Sequence, residues 1–156
     1  MITALDTNIL LDILIPNTDH CQSSKVLLDM SLQKGALIIC EMVYAELAAQ
    51  FGRKDALDDF LLDSNIQLYP STVEILHLAG LKWSEYATRR AKTIICPACG
   101  SSLHLNCPTC QRTQLPRQHI LADFIIGAHA LLQADGLLTR DRGYYKTYFP
   151  ELRLIE

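Results

Sequence analysis

Short apolar strands alternating with helical stretches predict an α/β fold built on a mostly parallel sheet. Two further observations support that class. The chain has 156 residues, enough for one domain with a real core. In addition, Asp6 and Asp141 each stand just past an apolar run, where open parallel sheets bind their ligands.

The elements follow in order. Residues 2–5 are a buried strand ending at Asp6, and residues 8–15 are a helix stopped by Pro16. Residues 19–34 are a helix whose apolar positions are Val26, Leu27, Met30 and Leu32, with Gly35 just beyond its end. A second strand covers 36–40 and a helix 41–51, broken by Gly52. A helix over 54–62 and a strand over 66–69 come next. Ser71 and Glu74 have capping-box spacing, so a helix should start there and run towards Arg90. Pro116 opens another helix, with Ile120, Leu121, Phe124, Ile125, Ala128, Leu131 and Leu132 as its apolar residues. Residues 137–139 form a strand, 141–148 a turn or short helix, and 152–155 a final edge strand.

Residues 93–116 interrupt this rhythm with four cysteines, three prolines and a glycine. Cys96-Pro-Ala-Cys99 and Cys107-Pro-Thr-Cys110 are matched CxxC knuckles, the spacing with which thiolates close a tetrahedral Zn²⁺ site. Four protein ligands leave no open position, so this zinc is structural. A disulfide or redox pair is the alternative. His104 sits between the knuckles, and Cys21 and Cys40 read as small buried apolar residues.

The composition suits a soluble globular chain: 49% hydrophobic, 20% charged and net charge −3. No apolar stretch approaches a membrane span, and no secretory leader is expected. The total conceals an asymmetry. Residues 1–81 carry 4 Lys/Arg against 11 Asp/Glu, whereas 82–156 carry 10 against 6. A basic half permits one face to meet a polyanion, although ordinary solvated charge gives the same pattern. Arg89, Arg90, Lys92, Arg112 and Arg117 flank or follow the knuckles and can grip phosphates or simply be solvated. The same choice applies to Arg140, Arg142 and Lys146 near Asp141.

Four acids sit in or beside apolar elements: Asp6, Glu46, Asp123 and Asp141. Charges in such places are costly unless paired or bound to metal. If the four converge, a hard divalent cation, Mg²⁺ or Mn²⁺, keeps them ionised. The alternative is separate duties: a helix cap for Asp6, solvent edges for Glu46 and Asp123, a turn for Asp141. Asp55, Asp58, Asp59 and Asp63 read as a solvated helix face, and Asp12 and Asp29 have no flanking signature. His119 is four residues before Asp123, and His77 and His129 read as packing or boundary residues.

The segments Leu5-Asp6-Thr7-Asn8, Tyr44-Ala45-Glu46-Leu47, Ala122-Asp123-Phe124-Ile125-Ile126-Gly127-Ala128-His129-Ala130 and Leu138-Thr139-Arg140-Asp141 resemble those of PIN-domain nucleases. The closing Phe149-Pro150-Glu151-Leu152-Arg153-Leu154-Ile155 is similar too. Within that family the likeness is to VapC-type toxins of toxin–antitoxin pairs, over the whole chain apart from 93–116. The resemblance implies one three-layer α/β/α domain over 1–156, carrying an inserted zinc segment. It implies metal-dependent endonucleolytic cleavage of RNA, with Asp6, Glu46, Asp123 and Asp141 holding Mg²⁺ or Mn²⁺. Thr7, Asn8 and Thr139 match supporting polar positions. A homodimer, an antitoxin partner and a cytoplasmic location are the corresponding expectations. The chain departs from the pattern at Gly143, where many members carry a further acid. The zinc insert is also absent from typical VapC toxins, which keeps two other readings open: an RNA-processing PIN nuclease, or an inactive RNA- or protein-binding adaptor.

Overall fold

The computed structural model describes residues 1–15, 19–89, 94–95, 102–103, 105–114 and 120–155. The chain runs β1 (Ile2–Leu5), α1 (Thr7–Leu14), α2 (Cys21–Lys34), β2 (Ala36–Ile39), α3 (Glu41–Ala48), α4 (Lys54–Asp63) and β3 (Ile66–Leu68). It continues through α5 (Val73–Arg89), β4 (Ile94–Ile95), β5 (Ser102–Leu103), β6 (Leu105–Asn106) and β7 (Thr113–Gln114). It ends with α6 (Leu121–Gln133), β8 (Gly136–Leu138), α7 (Arg142–Tyr148) and β9 (Leu154–Ile155). No helix among the described residues is long and apolar enough to cross a membrane.

Five strands form one sheet in the order β3-β2-β1-β8-β9, and every pairing is parallel. The expected α/β/α fold is therefore present. The central strand β1 is buried on both faces from Thr3 to Leu5, as a sheet covered by helices on both sides requires. The chain steps from β1 through β2 to β3 in one direction, then returns to β8 and β9 in the other. Right-handed crossovers in opposite directions put their helices on opposite faces. The reversal creates a switch point between β1 and β8, the place at which open parallel sheets bind their ligands.

Two glycines answer close approaches. Gly35 ends α2 at φ 152°, and a Cβ there would lie 2.0 Å from the Met1 carbonyl oxygen. At Gly127 in α6 a Cβ would meet the Phe149 ring at 2.5 Å. That contact belongs to an aromatic cluster in which Phe124 packs against Trp83, Tyr86, Tyr144, Tyr148 and Phe149.

Several boundaries and burials differ from the sequence expectation. The cap of α5 is Thr72 and not Ser71: Thr72 Oγ1 accepts the Ile75 amide at 3.5 Å, while the Ser71 amide donates to Glu41 Oε2 at 2.9 Å. Val26 and Met30, read as core positions of α2, are exposed, and the helix buries Ser24 and Ser31 instead. Ile120, Leu121 and Leu132 are likewise exposed at the two ends of α6. A helical period marks a face but does not say how much of it a neighbour covers. Cys40 is core, and burial pushes its thiol up to about 11, whereas Cys21 is only half-buried.

The 93–116 segment contributes two short antiparallel hairpins, β4–β5 and β6–β7. Cys107 and Cys110 lie in the turn of the second. Cys96, Cys99, His104, Arg90, Lys92, Pro116, Arg117 and His119 lie outside the described residues.

Candidate functional site

Parallel register builds the centre of the site. Leu5 of β1 is paired with Leu138 of β8, so the next residues, Asp6 and Thr139, emerge side by side from the sheet. The Asp6 amide extends that ladder by donating to Leu138 O at 3.0 Å. Asp6 occupies the N-cap position of α1, yet its side chain makes no cap hydrogen bond. Its Oδ2 instead accepts from Thr139 Oγ1 at 2.6 Å and Asn8 Nδ2 at 2.8 Å. The reading of Asp6 as a simple helix cap therefore fails.

Thr139 joins the two loops. Besides donating to Asp6, its buried hydroxyl accepts from Asn8 Nδ2 at 3.2 Å and from the Asp141 amide at 3.0 Å. Asn8 completes the tie when its Oδ1 accepts the Arg140 amide at 3.3 Å. Both amide groups of Asn8 and the hydroxyl of Thr139 are thus spent on geometry.

Glu46 reaches the same region from α3, where it is half-buried and its Oε2 accepts the Thr7 hydroxyl. Asp123 approaches from the first turn of α6, with Oδ2 taking the Ile120 amide at 2.9 Å. Asp141 caps α7 by accepting the Tyr144 amide on Oδ1 at 3.3 Å, and it is exposed. Each acid uses an oxygen on a local donor, which holds its rotamer.

The electrostatics show which acids share a field. The Asp6 carboxyl is pushed up to about 6, first by burial. The Thr139 hydrogen bond opposes this, the Asp123 charge adds to it, the Thr7 amide opposes it, and the Glu46 charge adds again. Tyr144 and Tyr145 lie in the same field. Burial raises both phenols, and the carboxylates of Asp123, Asp141 and Asp6 raise them further.

The structure thus gathers Asp6, Glu46 and Asp123 as electrostatic neighbours and links Asp141 to Asp6 through Thr139. Among the described residues, however, no group of three or more His, Cys, Asp or Glu is drawn together as a finished metal cage. Mutually repelling carboxylates held by separate protein donors have no reason to close on one point by themselves. Their chemistry still fits a hard cation. All are oxygen donors, and a buried carboxylate raised by two others is a charge in need of compensation.

The basic candidates fall in different places. Arg140 and Arg142 flank Asp141 at the site, while Lys146 is exposed further along α7. Arg112 follows the second knuckle, where its carbonyl accepts the Cys107 amide at 2.9 Å. In that turn the amides of Cys110 and Thr109 lower the Cys107 thiol. Gln111 takes the left-handed conformation at φ 58° that lets the chain leave the knuckle.

Asp12 has no flanking signature in the sequence, where an acid in a helix is ordinary. It is nearly fully buried, and its Oδ2 accepts from Ser24 Oγ at 2.7 Å and pairs with Arg140 Nε at 2.8 Å. Its position one turn after Asn8 in an otherwise apolar stretch was the available signal. His129 serves packing, as expected: it is buried in α6 with Nε2 2.7 Å from Tyr69 O, and burial lowers its pKa.

The fold is shared with solved structures of low sequence identity. One is the structure of VapBC2 from Rickettsia felis bound to a DNA fragment from their promoter, with 20% identity and TM-score 0.61 over 99% of this chain and 97% of that one. Another is VapBC-1 from nontypeable Haemophilus influenzae, with 18% identity and TM-score 0.60 over 99% and 96%. No curated protein matches the chain. The sequence pattern of the PIN domain does match, over residues 3–150. With that match spanning nearly the whole chain and the acids gathered at the switch point, the protein belongs to the PIN domain family.

Proposed function

We propose that this chain is a divalent-metal-dependent endoribonuclease, acting as the toxin of a VapBC-type toxin–antitoxin pair. The observation that carries the reading is Asp6: a buried carboxylate at the switch point, raised to about 6 by burial and by the carboxylates beside it. A folding-only role gives no reason to place Asp6, Glu46 and Asp123 in one field.

Asp6, Glu46, Asp123 and Asp141 would hold Mg²⁺ or Mn²⁺, since all-oxygen donors suit hard cations. An ion held by these residues would supply an activated water and charge compensation at the phosphodiester. The protein's own part is positional. Thr139 and Asn8 aim the Asp6 carboxylate, and Thr7 aims Glu46. The α7 cap holds Asp141 at the mouth, and no covalent nucleophile is required.

An antitoxin protein is the partner in this reading, supported by the likeness to the two VapBC structures. A homodimer, single-domain organisation and action in the cytoplasm complete the proposal. Within the 93–116 segment, Cys96, Cys99, Cys107 and Cys110 would hold one structural Zn²⁺. The two hairpins and the amide-lined Cys107 turn support this.

The deciding experiment is RNA cleavage by the full chain with Mg²⁺ or Mn²⁺, wild type against Asp6→Asn. The expected result is metal-dependent cleavage that falls by at least about a hundredfold in the variant. Undiminished cleavage by Asp6→Asn would remove the acid mechanism. Metal-independent binding with no cleavage of any RNA would favour the adaptor.

A further inference from the structure

Beside the acids lies a second polar feature that the cleavage chemistry does not use. A groove of about 470 Å³ is lined by His20, Ser23, Ser24 and Leu27 on one side and by Arg140 and Arg142 on the other. One wall is the start of α2, a 14-residue helix with no acid in its first turn and no side-chain cap. The positive end of its dipole therefore lies at the groove. The other wall is the turn that carries Asp141.

The turn is tied to the acids and to the groove by one residue. The Arg140 amide donates to Asn8, which in turn holds Asp6. Its side chain goes the other way and gives Nε to Asp12. Asn8 and Asp12 are one turn apart on α1, about 6 Å along the axis. The groove is therefore the next position along from the acid cluster.

The anchor of Arg140 is unusual. The Asp12 side chain is 4% exposed, while that of Arg140 is 41% exposed. Burying a carboxylate is costly, and a purely structural tie between α1 and α2 needs only a neutral partner for Ser24. A buried acid holding one edge of a half-exposed guanidinium instead fixes a flat cationic group at the rim of a groove. An arginine held by one edge keeps further N–H donors for planar recognition of phosphate oxygens.

We propose that this groove is a phosphate subsite. It seats a backbone phosphate of the RNA strand flanking the one cleaved, with Arg140 and Arg142 as donors and Asp12 as the positioning residue for Arg140. The proposal rests on the ribonuclease reading above and extends it by naming how the strand is held beside the acids.

The test separates the two. Binding of a short fluorescein-labelled single-stranded RNA to the full chain is followed by anisotropy in EDTA across a salt titration, where no cleavage intervenes. Arg140→Gln with Arg142→Gln should weaken binding roughly tenfold and flatten the log–log salt slope by about 0.7, the value for one lost single-strand phosphate contact. Asp12→Asn keeps an acceptor for Ser24 and should weaken binding less. Added to Arg140→Gln it should cause no further loss, because it acts only through that side chain.

Full additivity of the two would make Asp12 merely structural. An unchanged slope in the double arginine variant, at an unchanged melting temperature, would overturn the subsite. Absence of RNA binding by the wild type, or equal losses for RNA and a duplex DNA of the same length, would also overturn it. Groove-dependent RNA binding by a wild type that cleaves nothing with Mg²⁺ or Mn²⁺ would leave the subsite standing and remove the nuclease.

Discussion

At the scale of single side chains, the Asp6 carboxylate sets the behaviour of the site. It is buried, close to two like charges, and held by the hydroxyl of Thr139 and the amide of Asn8. Its folded pKa of about 6 lies above the ordinary 3.8. The native state then holds a proton there over a range in which the unfolded chain has lost it. Stability from this group is fully present below pH 3.8 and is lost as pH rises through about 6. The metal-free protein should accordingly be less stable at pH 8 than at pH 5 as far as Asp6 is concerned, by about 1.4 kcal/mol, since about one pH unit separates pH 5 from the folded value. Asp6→Asn should flatten this dependence and raise metal-free stability at pH 8. Urea melts of both forms with and without Mn²⁺ would check it, with the ion stabilising only the wild type. A pH dependence unchanged by the substitution would remove this account.

At the scale of elements, most of the architecture was legible because its signals are local. Gly35 bounds α2, and Asp141 marks the start of α7. The misplaced cap of α5 shows the limit. Ser71 and Thr72 are both capable caps, and Thr72 takes the role with its Oγ1 on the Ile75 amide, while the Ser71 amide is held by Glu41 Oε2. The exposed Val26 and Met30 show it again, since α2 turns Ser24 inward to meet a buried acid that no periodicity announces. The junction of α6 with the Phe149 turn is another close contact. Gly127→Ala should destabilise by about 1–3 kcal/mol through overpacking against the Phe149 ring. Phe149→Leu in the same chain should recover part of the loss, as read from urea midpoints. Equal stability of Gly127→Ala and wild type would mean that the ring moves aside freely.

For the whole molecule, the PIN core and the cysteine segment make separate predictions. The open sheet from β3 to β9 includes neither of the two hairpins. Cys107→Ser with Cys110→Ser should therefore abolish a stoichiometric zinc, about one per chain by elemental analysis, while far-UV dichroism of the core persists. Cleavage by that variant, if retained, places the insert outside the chemistry. A wild type without zinc, or one whose core unfolds with the cysteines replaced, would remove the picture of a structural insert.

The sequence by itself determined the α/β class, the order of the elements, the acids at strand ends and the paired knuckles. These are short-range features, written in strand length, helix punctuation and cysteine spacing. Only the tertiary structure decided which of these residues meet. Parallel pairing of Leu5 with Leu138 brings Asp6 and Thr139 together across 133 residues. The fold of α2 onto α1 turns an unremarked Asp12 into the buried anchor of Arg140. It also showed the acids as a shared field held on protein donors, and not as a finished cage. Convergence of charge depends on register and crossover direction, which no local pattern of residues records.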